Sequence, residues 1–356
     1  MIAPPLTKGL HALRRAACHA GLWLLTLQLL LLRPVVAAPL AADLVTDNQP
    51  INLQQEKYQQ LFNELRQRHQ FSAQELDELF QGLTLNRQVL VLMDKQWEAK
   101  PYYQYATLFI TPDNIKEGKE KLAQHRQLLD RIEATFGVDR EVVVAIWGVE
   151  TRYGARQGKY DVLQTLNTLF DAYPRRSAFF RQQLIDFLLL CRETGTSPKG
   201  IMGSYAAAFG QTQFIPSSFR SSAVSFDGDL KRDVWTSVPD VLASIANYLN
   251  RSKWTLDAPI YGELGTVLKD PRLVAAEQKG WREKVPFDLV QRLQNPALPP
   301  SPQNRPLTIV GLELPPGGAS DHRFVAGYPN FQAITEWNHS NRYAMAVTEL
   351  AEALGR

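Results

Sequence analysis

Two cysteines among 356 residues leave this chain without a disulfide framework. Cys191 stands alone in FLLLCRE, where a small buried hydrophobe is the expected role. Cys18 precedes the apolar core of an N-terminal leader, a place where a lipid-modified cysteine would not stand. The six histidines show no ligand spacing, with His125 in a helical run and His322 and His339 far apart, so zinc is unsupported. The sequence has no phosphate-cradling glycine loop and no Gly-x-Ser-x-Gly nucleophile elbow. No cofactor is implied.

Cationic excess is absent too, once the leader is set aside. Residues 1–42 hold Lys8, Arg14, Arg15 and Arg33 and no acid, so the remainder carries 35 basic and 36 acidic side chains. That near-neutral balance gives no electrostatic case for nucleic acid. The leader runs from a basic region through the apolar stretch Gly21 to Leu32 to the small residues Val36, Ala37 and Ala38, the order of a secretory signal. Cleavage is expected after Ala37, Ala38 or Ala42, with Pro39 weakening the Ala38 site. A single-span anchor competes with this reading, but the apolar run is shorter than the roughly 20 residues a spanning helix needs.

What remains has an ordinary globular composition, 45% hydrophobic and 21% charged. Helical patterning runs from about Gln54 to Leu92, with Ser72 and Glu75 as a capping box. Thr111 and Pro112 open a further long helix, along which Ile115, Leu122, Leu129 and Phe136 recur every seven residues. The helix through Glu150 is expected to stop at Gly154. Leu163 to Ala172, Arg181 to Arg192 and Val238 to Leu249 continue the series. Prolines then crowd residues 256–336 among short β-type runs, Leu307 to Val310 and His322 to Ala326. Tyr343, Val347, Leu350 and Leu354 return to helical spacing. The expected fold is mainly α: a helical body over 43–255, a small α+β insertion over 256–336, and a last helix in 337–356 packing back on the body.

Glu150 is the anomaly in this pattern. In REVVVAIWGVETRYG, the residues Val143, Ile146, Trp147 and Glu150 are spaced i, i+3, i+4, i+7, which places a carboxyl on the buried face. Desolvation raises a carboxyl pKa, so this Glu is a candidate proton donor, unless Arg152 or Arg156 pairs with it. Three other segments are rich in polar and aromatic groups. Gly203 to Ser218 mixes small residues with Ser204, Tyr205, Gln211 and Gln213, a composition suited to sugars and also to a plain helix contact. Tyr173-Pro-Arg-Arg176 offers paired guanidiniums, which bind carboxylates or simply face solvent. Trp337 to Tyr343 reads as an aromatic and amide cluster or as a helix cap with Trp337 in the core.

Together the segments AIWGVETRYG, YPRR, GSYAAAFGQTQFIPSSF, ANYLNRSKW and WNHSNRYAMAV, in this order over most of the chain, resemble the B family of lytic murein transglycosylases. The resemblance implies a lysozyme-like helical core that cleaves the β-1,4 bond between N-acetylmuramic acid and N-acetylglucosamine, leaving a 1,6-anhydromuramoyl end. It makes Glu150 the catalytic acid and then base, and sets Ser204 against the acetamido group. Gln213, Phe214, Tyr248, Asn338 and Tyr343 match groove residues, Arg175 and Arg176 match the YPRR arginines, and Tyr105 matches loosely a groove tyrosine. The implied partner is the peptidoglycan glycan strand, met by an exported, periplasmic monomer of a Gram-negative bacterium, with cell-wall remodelling proteins as further candidate partners.

The carboxylate inventory agrees with a single acid. Ordinary glycosidases use two carboxyls, and the further candidates Asp161, Asp171 and Asp186 read as solvated surface groups. A muramidase that admits water, or an inactive peptidoglycan-binding scaffold, are the competing readings. Ser225 to Asp233 also resembles a calcium loop, with Asp227, Asp229, the Lys231 carbonyl and Asp240 as ligands. Ser225 stands at the usual first Asp, however, and Leu230 at the turn glycine. A solvated acidic loop is therefore favoured over a structural calcium site.

Overall fold

The computed structural model describes residues 40–95 and 100–356. The expected leader lies almost wholly outside the described residues. Its last members, Ala41 and Ala42, are buried in the main core at the start of a 3-10 turn. Among the described residues no helix is long and apolar enough to cross a membrane.

Three helices fill the first helical stretch: α1 (Glu56–His69), α2 (Ala73–Phe80) and α3 (Arg87–Asp94). The capping box at α2 is formed, Ser72 Oγ accepting from Glu75 N at 3.1 Å and Glu75 Oε2 accepting from Ser72 N at 2.6 Å. A short α4 (Tyr102–Ala106) follows. The expected long helix is two helices, α5 (Pro112–Gln124), capped by Thr111, and α6 (Arg126–Phe136), broken at His125 with φ −105° and ψ 19°. The seven-residue spacing survives the break because Ile115, Leu122, Leu129 and Phe136 all pack against the main core.

Next comes α7 (Arg140–Thr151), whose residues Val142 to Val149 are all buried. It is surrounded by α5, α6 and two helices met later in the chain, as a helix apolar on every side must be. The helix stops three residues before the expected Gly154, because Arg152 and Tyr153 take left-handed backbone, φ 49° and 55°. Beyond it lie β1 (Tyr160–Asp161), α8 (Val162–Ala172), α9 (Ser177–Thr194), β2 (Met202–Gly203), α10 (Pro216–Ser222) and α11 (Val238–Arg251). Cys191 is buried on α9, and burial pushes its thiol up to about 12.

The small α+β part contains β3 (Tyr261–Gly265), α12 (Pro271–Lys279), α13 (Phe287–Gln294), β4 (Thr308–Glu313) and β5 (His322–Gly327). Its antiparallel sheet has the order β3-β5-β4. Period-two alternation divides the sheet between two cores. Ile309 and its partner Ala326 join a small core with Leu273 and Val290, while Val310 and its partner Val325 join the main core. The chain then returns through α14 (Pro329–Trp337) to α15 (Asn341–Leu354), which packs along α7. The molecule is thus mainly α with small sheets, and its last helix crosses the helix that carries Glu150.

Candidate active site

At the last turn of α7, Glu150 keeps part of its surface open although its neighbours on the helix are sealed. Neither Arg152 nor Arg156 pairs with it. Instead Glu150 Oε1 accepts two hydrogen bonds from α14 and α15, from Trp337 Nε1 at 2.8 Å and Tyr343 Oη at 2.5 Å. Both donors are neutral, so neither offsets the loss of solvation as a cation would. Burial pushes the carboxyl up to about 7, and the two hydrogen bonds restrain the rise without cancelling it. Among the described residues Oε2 has no partner, and it is not among the sealed polar atoms. With Oε1 accepting twice, a proton on this carboxyl belongs on Oε2, the open side.

The segment after β2 is fixed against the end of α7. Thr151 Oγ1 donates to Gln211 O at 3.1 Å, Trp147 Nε1 donates to Gln211 Oε1 at 2.9 Å, and Gln211 Nε2 donates to Trp235 O at 2.9 Å. Gln211, singled out as a ligand-type residue in the sequence, is therefore buried scaffolding. Gly158, at φ +102°, lets two backbones touch: a Cβ there would lie 2.1 Å from the Gly203 carbonyl. Directly after that contact, Ser204 Oγ accepts from Ala206 N at 3.3 Å and Ala208 N at 3.1 Å. Its hydroxyl proton is left to donate. Gln213 Nε2 donates to Gly210 O at 2.9 Å and Gln157 O at 3.2 Å, so its amide nitrogen is engaged by backbone carbonyls.

A groove of about 1280 Å³ runs beside these groups. Of the residues named from the sequence it is lined by Tyr105, Arg176, Gln213, Phe214, Tyr248 and Asn338. Phe214, Tyr248 and Trp337 pack ring against ring, with centroids 4.8 to 5.9 Å apart, and Tyr248 Oη donates to Glu336 O at 2.6 Å. This cluster sets the indole on Glu150. Tyr343 is buried behind it, and burial together with the Glu150 carboxyl holds its phenol protonated. Ser204 adjoins the lining residues Tyr205 and Ala206, whereas Arg175 is exposed outside the lining. Arg176 lies on the Phe179 ring, 4.2 Å from its centroid.

Sequence reasoning missed Lys95, Phe109, Glu336, His339 and Arg342, which also line the groove. Trp337 was read only as part of a cluster and is a direct partner of the acid. The remaining carboxylates named earlier are not free surface groups. Asp161 caps α8 through Gln164 N at 2.8 Å, Asp171 pairs with Lys57, and the buried Asp186 pairs with Arg220 at 2.5 Å. None lines the groove.

The acidic loop does converge. Asp227, Asp229 and Asp240 place carboxylate oxygens within 4.8 Å of one another. Asp240 is buried, which raises its pKa, although its oxygens accept from Phe226 N at 2.7 Å and Asp233 N at 2.8 Å. Leu230 takes the left-handed conformation at φ +66° and is 92% exposed, so the turn needs glycine geometry and has a leucine in it. Hard oxygen donors around a tight turn fit a calcium ion.

Comparison with known proteins identifies the family. Residues 54–352 match the family model described as Transglycosylase SLT domain. The membrane-bound lytic murein transglycosylase B of Escherichia coli K12 is 33% identical over 306 residues, covering 83% of this chain and 82% of its own. The Escherichia coli lytic transglycosylase Slt35, solved in complex with calcium, is 32% identical with a TM-score of 0.75, covering 86% of this chain and 95% of that one. SltB3 of Pseudomonas aeruginosa, solved with NAG-anhNAM-pentapeptide, is 32% identical with a TM-score of 0.68, covering 84% and 79%. The chain belongs to the transglycosylase SLT domain family and is a peptidoglycan lytic transglycosylase with a lysozyme-like helical core.

Proposed function

We propose that Glu150 performs both proton transfers of the reaction. Its Oε2 proton passes to the glycosidic oxygen as the bond from C1 of N-acetylmuramic acid to that oxygen breaks. The resulting carboxylate then takes the proton of the muramyl C6 hydroxyl as that oxygen bonds to C1. The product is a 1,6-anhydro ring, and no water is consumed. One observation carries this reading: Oε1 is occupied by two neutral donors, so a partly protonated carboxyl near pH 7 presents its proton from the open oxygen.

On the same reading the Ser204 hydroxyl donates to the acetamido group and the Gln213 carbonyl accepts from a sugar hydroxyl. Tyr105, Phe214, Tyr248, Asn338 and Tyr343 shape the sugar sites, and Arg176 with its neighbour Arg175 meets the strand farther out. The pentapeptide-bearing ligand of SltB3 supports a glycan strand with stem peptides as the substrate. Asp227, Asp229 and Asp240 would hold a calcium that braces the loop and takes no part in the chemistry. Residues 43–255 with 337–356 form the catalytic body and 256–336 its insertion. Export to the periplasm follows from the leader, with cleavage after Ala37 or Ala38, because Ala41 and Ala42 belong to the core.

Mass analysis of digested murein tests the chemistry. Products one water lighter than hydrolysed muropeptides are expected, and hydrated muramic acid throughout contradicts the proposal. The muramidase alternative gains one specific candidate, since Glu336 is an exposed carboxylate on the groove. Replacing it by Gln is expected to leave the anhydro product unchanged.

A further inference from the structure

We propose that Arg342 is a specificity residue that reads a carboxylate of the stem peptide, an inference that rests on the peptidoglycan reading above. Arg342 is the second residue of α15 and lines the groove. Glu313 of β4 holds it in place: one carboxylate oxygen accepts from Arg342 Nη2 and the other from Tyr102 N at 2.9 Å. Burial alone would raise the Glu313 carboxyl, but the bonds from Arg342 and the Tyr102 amide outweigh it and hold it below its ordinary range. The anchor therefore stays ionised.

The guanidinium is only partly used. Nη2 is engaged by Glu313, and Nε is buried without a partner. Among the described residues Nη1 has no hydrogen-bond partner, and it is not among the sealed atoms. A guanidinium offers five donors in one plane, and a buried donor left unpaired costs free energy. An ion pair that served packing alone gives no reason to keep that cost, since apolar residues cover a wall as well or better. A pre-oriented arginine with an open terminal nitrogen on a groove wall suits a planar anion.

The surrounding charge points the same way. Among the described residues, the groove lining holds the cations Lys95, Arg176 and Arg342 against the carboxylate Glu336. The sugar rings are uncharged, so the anionic groups of this substrate are its peptide carboxylates. Such a field favours strands that still carry their peptides.

The test uses three soluble substrates: strands with intact peptides, the same strands with peptide carboxylates amidated, and stripped strands that keep only the lactyl carboxylate. Wild type and Arg342→Met are compared by kcat/KM. The preference for intact over amidated strands is expected to fall about tenfold in the variant, through KM, the worth of one charge-assisted hydrogen bond. The stripped-to-amidated ratio is expected to stay the same. An unchanged intact-to-amidated ratio overturns the inference, and a fall confined to stripped strands overturns it by moving the contact to the lactyl group. Ratios do not depend on the folded fraction, and Arg342→Met combined with Glu313→Gln removes the unpaired acid if the single variant folds poorly. A wild type that cleaves none of the three substrates contradicts the peptidoglycan reading itself, a separate outcome.

Discussion

An acid stands at each end of helix α7, and the two acids have opposite surroundings. Asp139, the residue before the first turn, is 4% exposed and accepts from Trp254 Nε1 at 2.7 Å and Arg356 Nε at 2.8 Å. Glu150, in the last turn, accepts from an indole and a phenol and meets no cation among the described residues. A helix N-terminus favours negative charge and a C-terminus opposes it. One acid therefore has a cation and the favourable end of the helix, and the other has neither. The first is an anchor for Arg356, and the second is a stored proton. What separates structure from chemistry here is the partner set and the open side of Glu150, since residue type and helix are nearly shared.

The largest expected effect comes from removing the proton. Glu150→Gln keeps an acceptor for Trp337 and Tyr343 but cannot donate, so turbidity loss of murein sacculi should slow by at least about two orders of magnitude. The same variant should be more stable than wild type at high pH. A carboxyl at about 7 when folded, against an ordinary 4.5, makes the native state bind more protons between those values. Wild-type stability is then full below about pH 4.5 and falls as pH rises to about 7, by on the order of 3 kcal/mol. Denaturant unfolding of wild type and Glu150→Gln should diverge at pH 8 and converge at pH 4.

Asp139→Asn is the matching change at the other end. It leaves the half-buried Arg356 without its anion, so a loss of about 2 kcal/mol in unfolding free energy is expected, with an unshifted pH–rate profile. A shifted profile would mean that the two ends are not separate in role. Tyr343→Phe lies between these cases. It removes one of the two donors that restrain the Glu150 pKa, so the alkaline fall in kcat should move to higher pH while the rate drops about tenfold.

A third acidic place gives the smallest effect. Leu230→Gly should relieve left-handed strain worth about 1 kcal/mol, read as a higher melting temperature, and should strengthen calcium binding by titration calorimetry. A drop in stability would show that Leu230 has a packing role which its 92% exposure does not suggest.

Local regularities were legible in the sequence. The stripe Val143, Ile146, Trp147, the cap at Ser72, the starts at Thr111 and Val238 and the strands around Val310 and Val325 all follow from periods and caps that act over a few residues. The break at His125 was not, because apolar spacing records which face is buried and says nothing about backbone continuity. In the site, Glu150 was visible as a carboxyl on the wrong face. Its partners were not, since Trp337 and Tyr343 lie 187 and 193 residues away. Arg342 and Glu336 escaped although they stand in or beside the Trp337 to Tyr343 cluster, because a surface charge on a helix looks the same whether it faces solvent or a groove. The role of Gln211 was misread because a buried amide and a ligand-binding amide look alike without their partners.

The direct test of the stored proton is the titration of Glu150 itself, followed by carbon NMR of a chain labelled at the glutamate carboxyl carbons, with Glu150→Gln identifying the resonance. A midpoint near 7 is predicted. A midpoint at or below the ordinary 4.5 would contradict the account, because Glu150 would then be an anion at working pH with no proton to give.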